Sequence, residues 1–155
     1  MGHKSLTIGS YTVSANLVEG RVEFFLEKGE KLWAVGASVY GTGAVLSHLQ
    51  NYKPNRGTAF PQRQIFLEID LLRHYIERVL YAKGVRVVSA GVVRGVIAGY
   101  LESKGWVRSE CSLGLDKSLS PRSNPKPLLL ERLRSEKRKA RHSTPRARLR
   151  RTPRK

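Results

Sequence analysis

Twelve of the last 24 residues, Arg132 to Lys155, are Lys or Arg, and a single acid, Glu136, offsets them. The only apolar side chains in that run are Leu133, Ala140, Ala147 and Leu149. Like charges at this density repel one another, and so few apolar groups cannot offset the entropy of ordering the chain. Whatever core the molecule builds must come from the residues before this segment.

The composition divides accordingly. Residues 1–110 carry 14 Lys or Arg and nine Asp or Glu, while residues 111–155 carry 15 against Asp116, Glu131 and Glu136. All 12 aromatic residues lie at or before Trp106. This predicts a folded α+β domain over residues 1–110, a linker over 111–127 and a basic Arg-rich tail over 128–155, disordered or helical when bound. A domain of that size can bury a core without staples. Cys111 is the sole cysteine, which excludes an intrachain disulfide and a cysteine-built zinc site. The most apolar run, Val85 to Leu101, is broken by Arg86 and Arg94 and falls short of the ~18 residues of a membrane span. The N-terminus lacks the apolar centre of a secretory signal. The expected setting is intracellular: the nucleus, the nucleolus or a ribonucleoprotein particle.

Hydrophobic spacing places the elements. Tyr11, Val13, Ala15 and Leu17 alternate with polar residues, and Val22, Phe24 and Leu26 do so again after a turn at Glu19-Gly20. A second turn at Lys28-Gly29-Glu30 leads into a strand over Lys31 to Tyr40, and Leu6 to Ile8 adds a short edge strand. The expected fold is a small antiparallel β-meander, followed by a long helix and a second shorter helix, with a basic disordered C-terminal extension. Thr42 is placed to cap a short helix over Gly43 to Gln50, and residues 51–58 read as a loop. The long helix is expected from Pro61 to Lys83, with Ile65, Ile69, Leu72, Ile76, Val79 and Leu80 on one face and Leu67, Leu71 and Tyr75 on another. The second runs from Gly91 to Lys104, and Val85 to Val88 is a candidate strand between them.

Candidate chemistry is sparse. Gly36, Gly41 and Gly43 follow a strand but lack the Lys and Ser/Thr of a phosphate loop, so a tight turn is the default. Asp70, His74 and Glu77 share a helix face and could bind a metal or move protons. Arg73 and Arg78 stand among them, which favours a salt-bridged solvent face. No catalytic residue, metal site or cofactor is assigned. Gly91, Gly95 and Gly99 recur every four residues in a predicted helix, where each costs roughly 0.5–1 kcal/mol relative to alanine. Such a ridge points to a close approach by another backbone, either within the domain or from a partner, with Arg94 and Lys104 nearby as a secondary contact for phosphates.

Two stretches resemble known nucleic-acid binders. Residues 87–110 resemble the end of winged-helix DNA-binding domains, in which a recognition helix closes through a turn like Leu101-Glu102-Ser103-Lys104-Gly105-Trp106 into a β wing. Ser120-Pro121-Arg122, Thr144-Pro145-Arg146 and Thr152-Pro153-Arg154 resemble units in the basic tails of chromatin proteins. The general layout, a small basic domain with an Arg-rich extension, is similar to that of ribosomal proteins.

The resulting expectation is a non-enzymatic nucleic-acid-binding protein, with RNA favoured over DNA, acting as a ribonucleoprotein component. Its phosphate contacts would be Arg132, Arg134, Lys137, Arg138, Lys139, Arg141, Arg146, Arg148, Arg150, Arg151, Arg154 and Lys155. One alternative is a viral or nuclear adaptor that binds a protein partner and uses the tail as a localisation signal. A winged-helix-like DNA-binding protein is the third. A membrane partner is not expected, because the tail lacks an apolar face to bury in lipid.

Overall fold

The computed structural model describes residues 2–47, 49–52, 62–91, 95–109, 114–120, 127 and 133–139. Four long strands open the chain: β1 (Gly2–Ile8), β2 (Tyr11–Val18), β3 (Arg21–Lys28) and β4 (Glu30–Tyr40). Each alternation noted in the sequence becomes one face of this meander. The register stacks Val13 beside Leu26 and Trp33, and Ala15 beside Phe24 and Val35, so one face is continuously apolar. Gly20, with φ of 70°, supplies the left-handed turn between β2 and β3 that a side chain would resist. The β3–β4 register shifts after Leu26, and the bulge leaves Leu32 as the extra residue.

The expected helix over Gly43 to Gln50 is absent. That stretch forms β5 (Gly43–Leu46) and β6 (Gln50–Asn51), both antiparallel to β4. Ala44 is buried and Val45 is exposed, the alternation of a strand, and the ladder to Ala37 through Tyr40 outweighs Thr42 as a cap. The long helix α1 (Gln62–Ala82) then carries the chain across to β7 (Val87–Ala90), which pairs in parallel with β5. A parallel pair needs a crossover of this length.

The shorter helix α2 occupies Gly95–Ser103, and two further strands follow, β8 (Val107–Arg108) and β9 (Leu115–Ser118). A third helical stretch, α3, spans 133–139. The α+β class therefore holds, but not the small meander: among the described residues nine strands join one sheet, in the order β1-β2-β3-β4-β5-β7-β9-β8, with β6 also on β4. Nor do the helices simply follow the strands, since β7 lies between α1 and α2 and two strands come after both. The segment expected as a linker contributes β9 between β7 and β8, with Leu115, Lys117 and Leu119 all buried.

Both α1 and α2 lie on the apolar face. Tyr11 and Trp33 of the sheet donate to Glu68 of α1, and Tyr100 of α2 donates to Asp70 of α1. Near the other end of the chain, Leu133 packs on the core, and its Cδ1 lies 3.3 Å from where a Cβ on Gly9 would stand.

Candidate functional site

The sheet parts at one place. β7 accompanies β5 only from Gly43↔Val87 to Leu46↔Ala90. Beyond Leu46 the chain bulges through Ser47, whose amide donates to the Gly36 carbonyl while its hydroxyl accepts from the Gly36 amide, and then rejoins β4 as β6. The carboxyl ends of two parallel strands thus lie side by side, at Leu46 and Ala90, and ligands in open α/β sheets bind outside such carboxyl ends.

A cavity of about 810 Å³ opens there. Trp33 and Val35 of β4, together with Ile69, Leu72 and Ile76 of α1, form its buried wall. Leu46, Leu49 and Ala90 from the strand ends, with Ile97 and Leu101 of α2, form a half-buried rim. Trp106 closes it beyond α2. The polar side chains among the described lining residues are Ser47, Asn51 and Arg73, besides the indole N–H groups of the two tryptophans.

Behind this wall sits a buried ionic network. The face of α1 expected to meet solvent faces protein instead: Asp70, Arg73 and Glu77 are each at most 4% exposed. Arg73 donates to Asp70 at 3.2 Å, to Glu77 at 3.1 Å and to the Tyr100 oxygen at 3.4 Å. Glu77 also accepts from Lys117 of β9 at 2.7 Å and from the Trp106 indole at 3.2 Å. Lys117 donates in turn to the Lys104 carbonyl at 2.9 Å. One carboxylate therefore joins α1, the turn after α2, and β9, while orienting two side chains of the cavity wall.

Desolvation pulls the Arg73 guanidinium down, but Glu77, Tyr100 and Asp70 outweigh it and hold its pKa above the ordinary arginine value. Burial pushes the Tyr100 hydroxyl up, and its hydrogen bond to Asp70 adds to the effect against the opposing pull of Arg73. Tyr100 is thus held as a neutral donor. Glu68, behind Trp33, accepts its indole at 2.9 Å and the Tyr11 hydroxyl at 3.1 Å. Both cavity tryptophans are consequently fixed by carboxylates of α1.

Among the described residues, none of the cations singled out in the sequence as phosphate contacts lines the cavity. Lys104 is 3.9 Å from Asp70 with its side chain 19% exposed, an ion-pair partner of the network. Gly91 precedes α2 at the cavity rim, Gly95 opens that helix, and a Cβ on Gly91 or Gly99 would meet nothing within 4 Å. A close backbone approach does occur, but at Gly114, where a Cβ would stand 2.0 Å from the Ala90 carbonyl and 2.5 Å from that of Gly91. Arg134, Lys137, Arg138 and Lys139 are exposed on α3. Arg94, Arg132, Arg141, Arg146, Arg148, Arg150, Arg151, Arg154 and Lys155 lie outside the described residues. His74 is half-buried, and among the described residues no three His, Cys, Asp or Glu side chains gather as a metal set.

The site residues that sequence reasoning missed are Trp33, Ser47, Arg73, Trp106 and Lys117. One signal was available. Leu115, Lys117 and Leu119 alternate at period two, which turns the lysine to the same side as two leucines and requires a buried partner for it.

No protein-family model and no curated protein matches the chain. Solved structures do. The PaiA N-acetyltransferase of Thermoplasma acidophilum, crystallised in complex with coenzyme A, superposes with a TM-score of 0.50 at 14% identity over 64% of this chain and 61% of that one. A Klebsiella pneumoniae structure named as an acyl-CoA N-acyltransferase matches with a TM-score of 0.47 at 10% identity, over 66% of this chain and 74% of that one. The chain thus spans about three-fifths of the length of the Thermoplasma enzyme. This likeness corrects the functional expectation. The Thermoplasma structure whose fold the described residues share is an N-acetyltransferase, not an RNA-binding, ribonucleoprotein, adaptor or winged-helix protein. The non-enzymatic reading and nucleic acid as principal partner are set aside, and the described residues have the fold seen in an N-acetyltransferase.

Proposed function

We propose that the chain is an acyltransferase that moves an acyl group from a coenzyme A thioester to an amine nitrogen. The observation that carries this reading is the cleft where β5 and β7 part, in a fold shared with an N-acetyltransferase crystallised with coenzyme A. The edge of β5–β6 beyond Leu46, no longer paired by β7, suits a ligand whose slender arm carries amide groups, because such a ligand can lie along it as a further strand. The cavity is within the size range of small-molecule sites and mostly apolar, with few polar groups to fix orientation.

Coenzyme A supplies the acyl group as a thioester, already activated towards an amine. The chain's own contribution is to bind that arm extended, to keep water off it, and to place a donor near the reacting carbonyl. Trp33, Trp106 and the α1 isoleucines exclude water. Arg73, held by Asp70 and Glu77, is the charged donor that faces the cavity. A guanidinium with its pKa raised stays charged throughout the working range and so can polarise a carbonyl without exchanging a proton.

The test pairs calorimetric titration of the full chain with coenzyme A and an assay of thiol release from acetyl-CoA over a panel of amines. Saturable binding and amine-dependent thiol release are expected, and Ala90→Arg at the cleft should abolish both while leaving the circular dichroism spectrum unchanged. If coenzyme A does not bind, the reading fails.

A further inference from the structure

The cavity has more apolar room than an acetyl group uses. Ile69, Leu72 and Ile76 form a continuous stripe of α1 along it, each at most 5% exposed, and Ile97 and Leu101 of α2 face that stripe. From Ile69 to Ile76 the helix advances about 10 Å at 1.5 Å per residue, the reach of an extended chain of about eight carbons. The charged lining group among the described residues is Arg73, which already faces Asp70 and Glu77. No carboxylate appears among those lining residues. An ammonium entering here would shed its water without finding an acceptor of opposite charge, whereas a methylene chain would lose nothing.

On the acyl-transfer reading above, we propose that the space between α1 and α2 holds the acyl chain, and that the preferred donors are medium-chain acyl-CoA thioesters rather than acetyl-CoA. Leu72 and Ile97 then determine specificity from opposite walls, and the amine enters from outside this space.

Trp33 and Trp106 are the only two tryptophans of the chain, and both line the cavity, so its intrinsic fluorescence reports occupancy. The full chain is titrated with free coenzyme A and with acetyl-, butyryl-, hexanoyl- and octanoyl-CoA. The dissociation constant should fall about two- to fourfold for each added methylene, reaching on the order of 10²-fold or more between acetyl and octanoyl. Leu72→Phe narrows the space and should weaken octanoyl-CoA roughly tenfold more than it weakens acetyl-CoA. Ile97→Phe, on the half-buried wall, makes the same comparison should the first variant fold poorly.

Equal affinities across the series would overturn the proposal and leave acyl transfer standing. Saturable octylamine binding that Leu72→Phe weakens, with octanoyl-CoA affinity untouched by that variant, would assign the apolar space to the acceptor, which also overturns it. Failure of coenzyme A and of every thioester to bind would overturn this inference and the acyl-transfer reading together.

Discussion

Glu77 shows how much one buried side chain can connect. It accepts hydrogen bonds from Lys117, Arg73 and Trp106, which belong to three different parts of the chain. Taking such charges out of water costs nearly as much as their attraction returns, so the net gain over an apolar cluster is small. Removing a single partner is another matter, because it strands the others. Glu77→Ala removes the carboxylate that Lys117, Arg73 and Trp106 share and should lower stability by about 3–5 kcal/mol. Lys117→Met should cost less, since Glu77 keeps Arg73 and Trp106. The two residues share one ion pair, which each single variant already removes, so urea denaturation of the double variant should show a loss smaller than the sum of the two single losses, with a coupling of about 1–3 kcal/mol. Strictly additive losses would mean that the network does not act as a unit. In the sequence, Asp70, Arg73, His74 and Glu77 read as a solvated helix face, because polar residues at helical spacing usually are one. The face is buried because β9 and the turn after α2 close over it. No local spacing on α1 could announce that.

Among the elements, the meander and α1 were legible because their signals are local. Alternation fixes which way a strand faces, glycine marks the turns, and a helix apolar on two sides must be buried. The stretch after Gly41 was misread because a possible cap outranked the Ala44–Val45–Leu46 alternation, which makes sense only once β4 is there to pair with it. The glycine argument went astray in a similar way. Spacing of four suggested a ridge on α2, yet the crowded glycine is Gly114, ahead of β9 and pressed against the end of β7. Its obstacle is backbone on both counts, the carbonyls of Ala90 and Gly91, and backbone cannot swing aside as a side chain can. Gly114→Ala should therefore push β9 off the end of β7 and cost about 1–3 kcal/mol or more of stability, read as a lowered melting temperature. Gly36→Ala is the matched control: its Cβ would meet the Arg21 guanidinium at 2.5 Å, the far end of a flexible side chain that can move away. Similar melting temperatures for the two variants would show that the approach at Gly114 is not tight.

For the whole molecule, net charge proved a poor guide. The chain carries +17 overall, and most of that excess lies after residue 110, whereas the cleft is lined from residue 33 to residue 106 and presents a single, already paired cation among its described lining residues. Charge announced itself in the sequence; the cleft did not, because its walls come from six separate elements and acquire meaning only when β5 and β7 lie side by side. The same distance effect hid the end of the folded unit. Residues 111–127 lack aromatics and are rich in Ser and Pro, which reads as a linker, yet Leu115, Lys117 and Leu119 are at most 6% exposed. Among the described residues β9 is also the only strand that pairs β8, and it pairs the edge of β7 away from β5. A chain ending at residue 110 would lose that strand, expose the edge of β7 and leave Glu77 without Lys117. A chain ending at residue 120 would keep all three features and lose the Leu133 contact beside Gly9. Thermal unfolding followed by circular dichroism should therefore give a cooperative transition for the 120-residue chain, and a broad transition or none for the 110-residue chain. If the shorter chain melts as sharply and at the same temperature, β9 is an accessory to the fold, and the ionic network it closes over α1 contributes nothing to cooperativity.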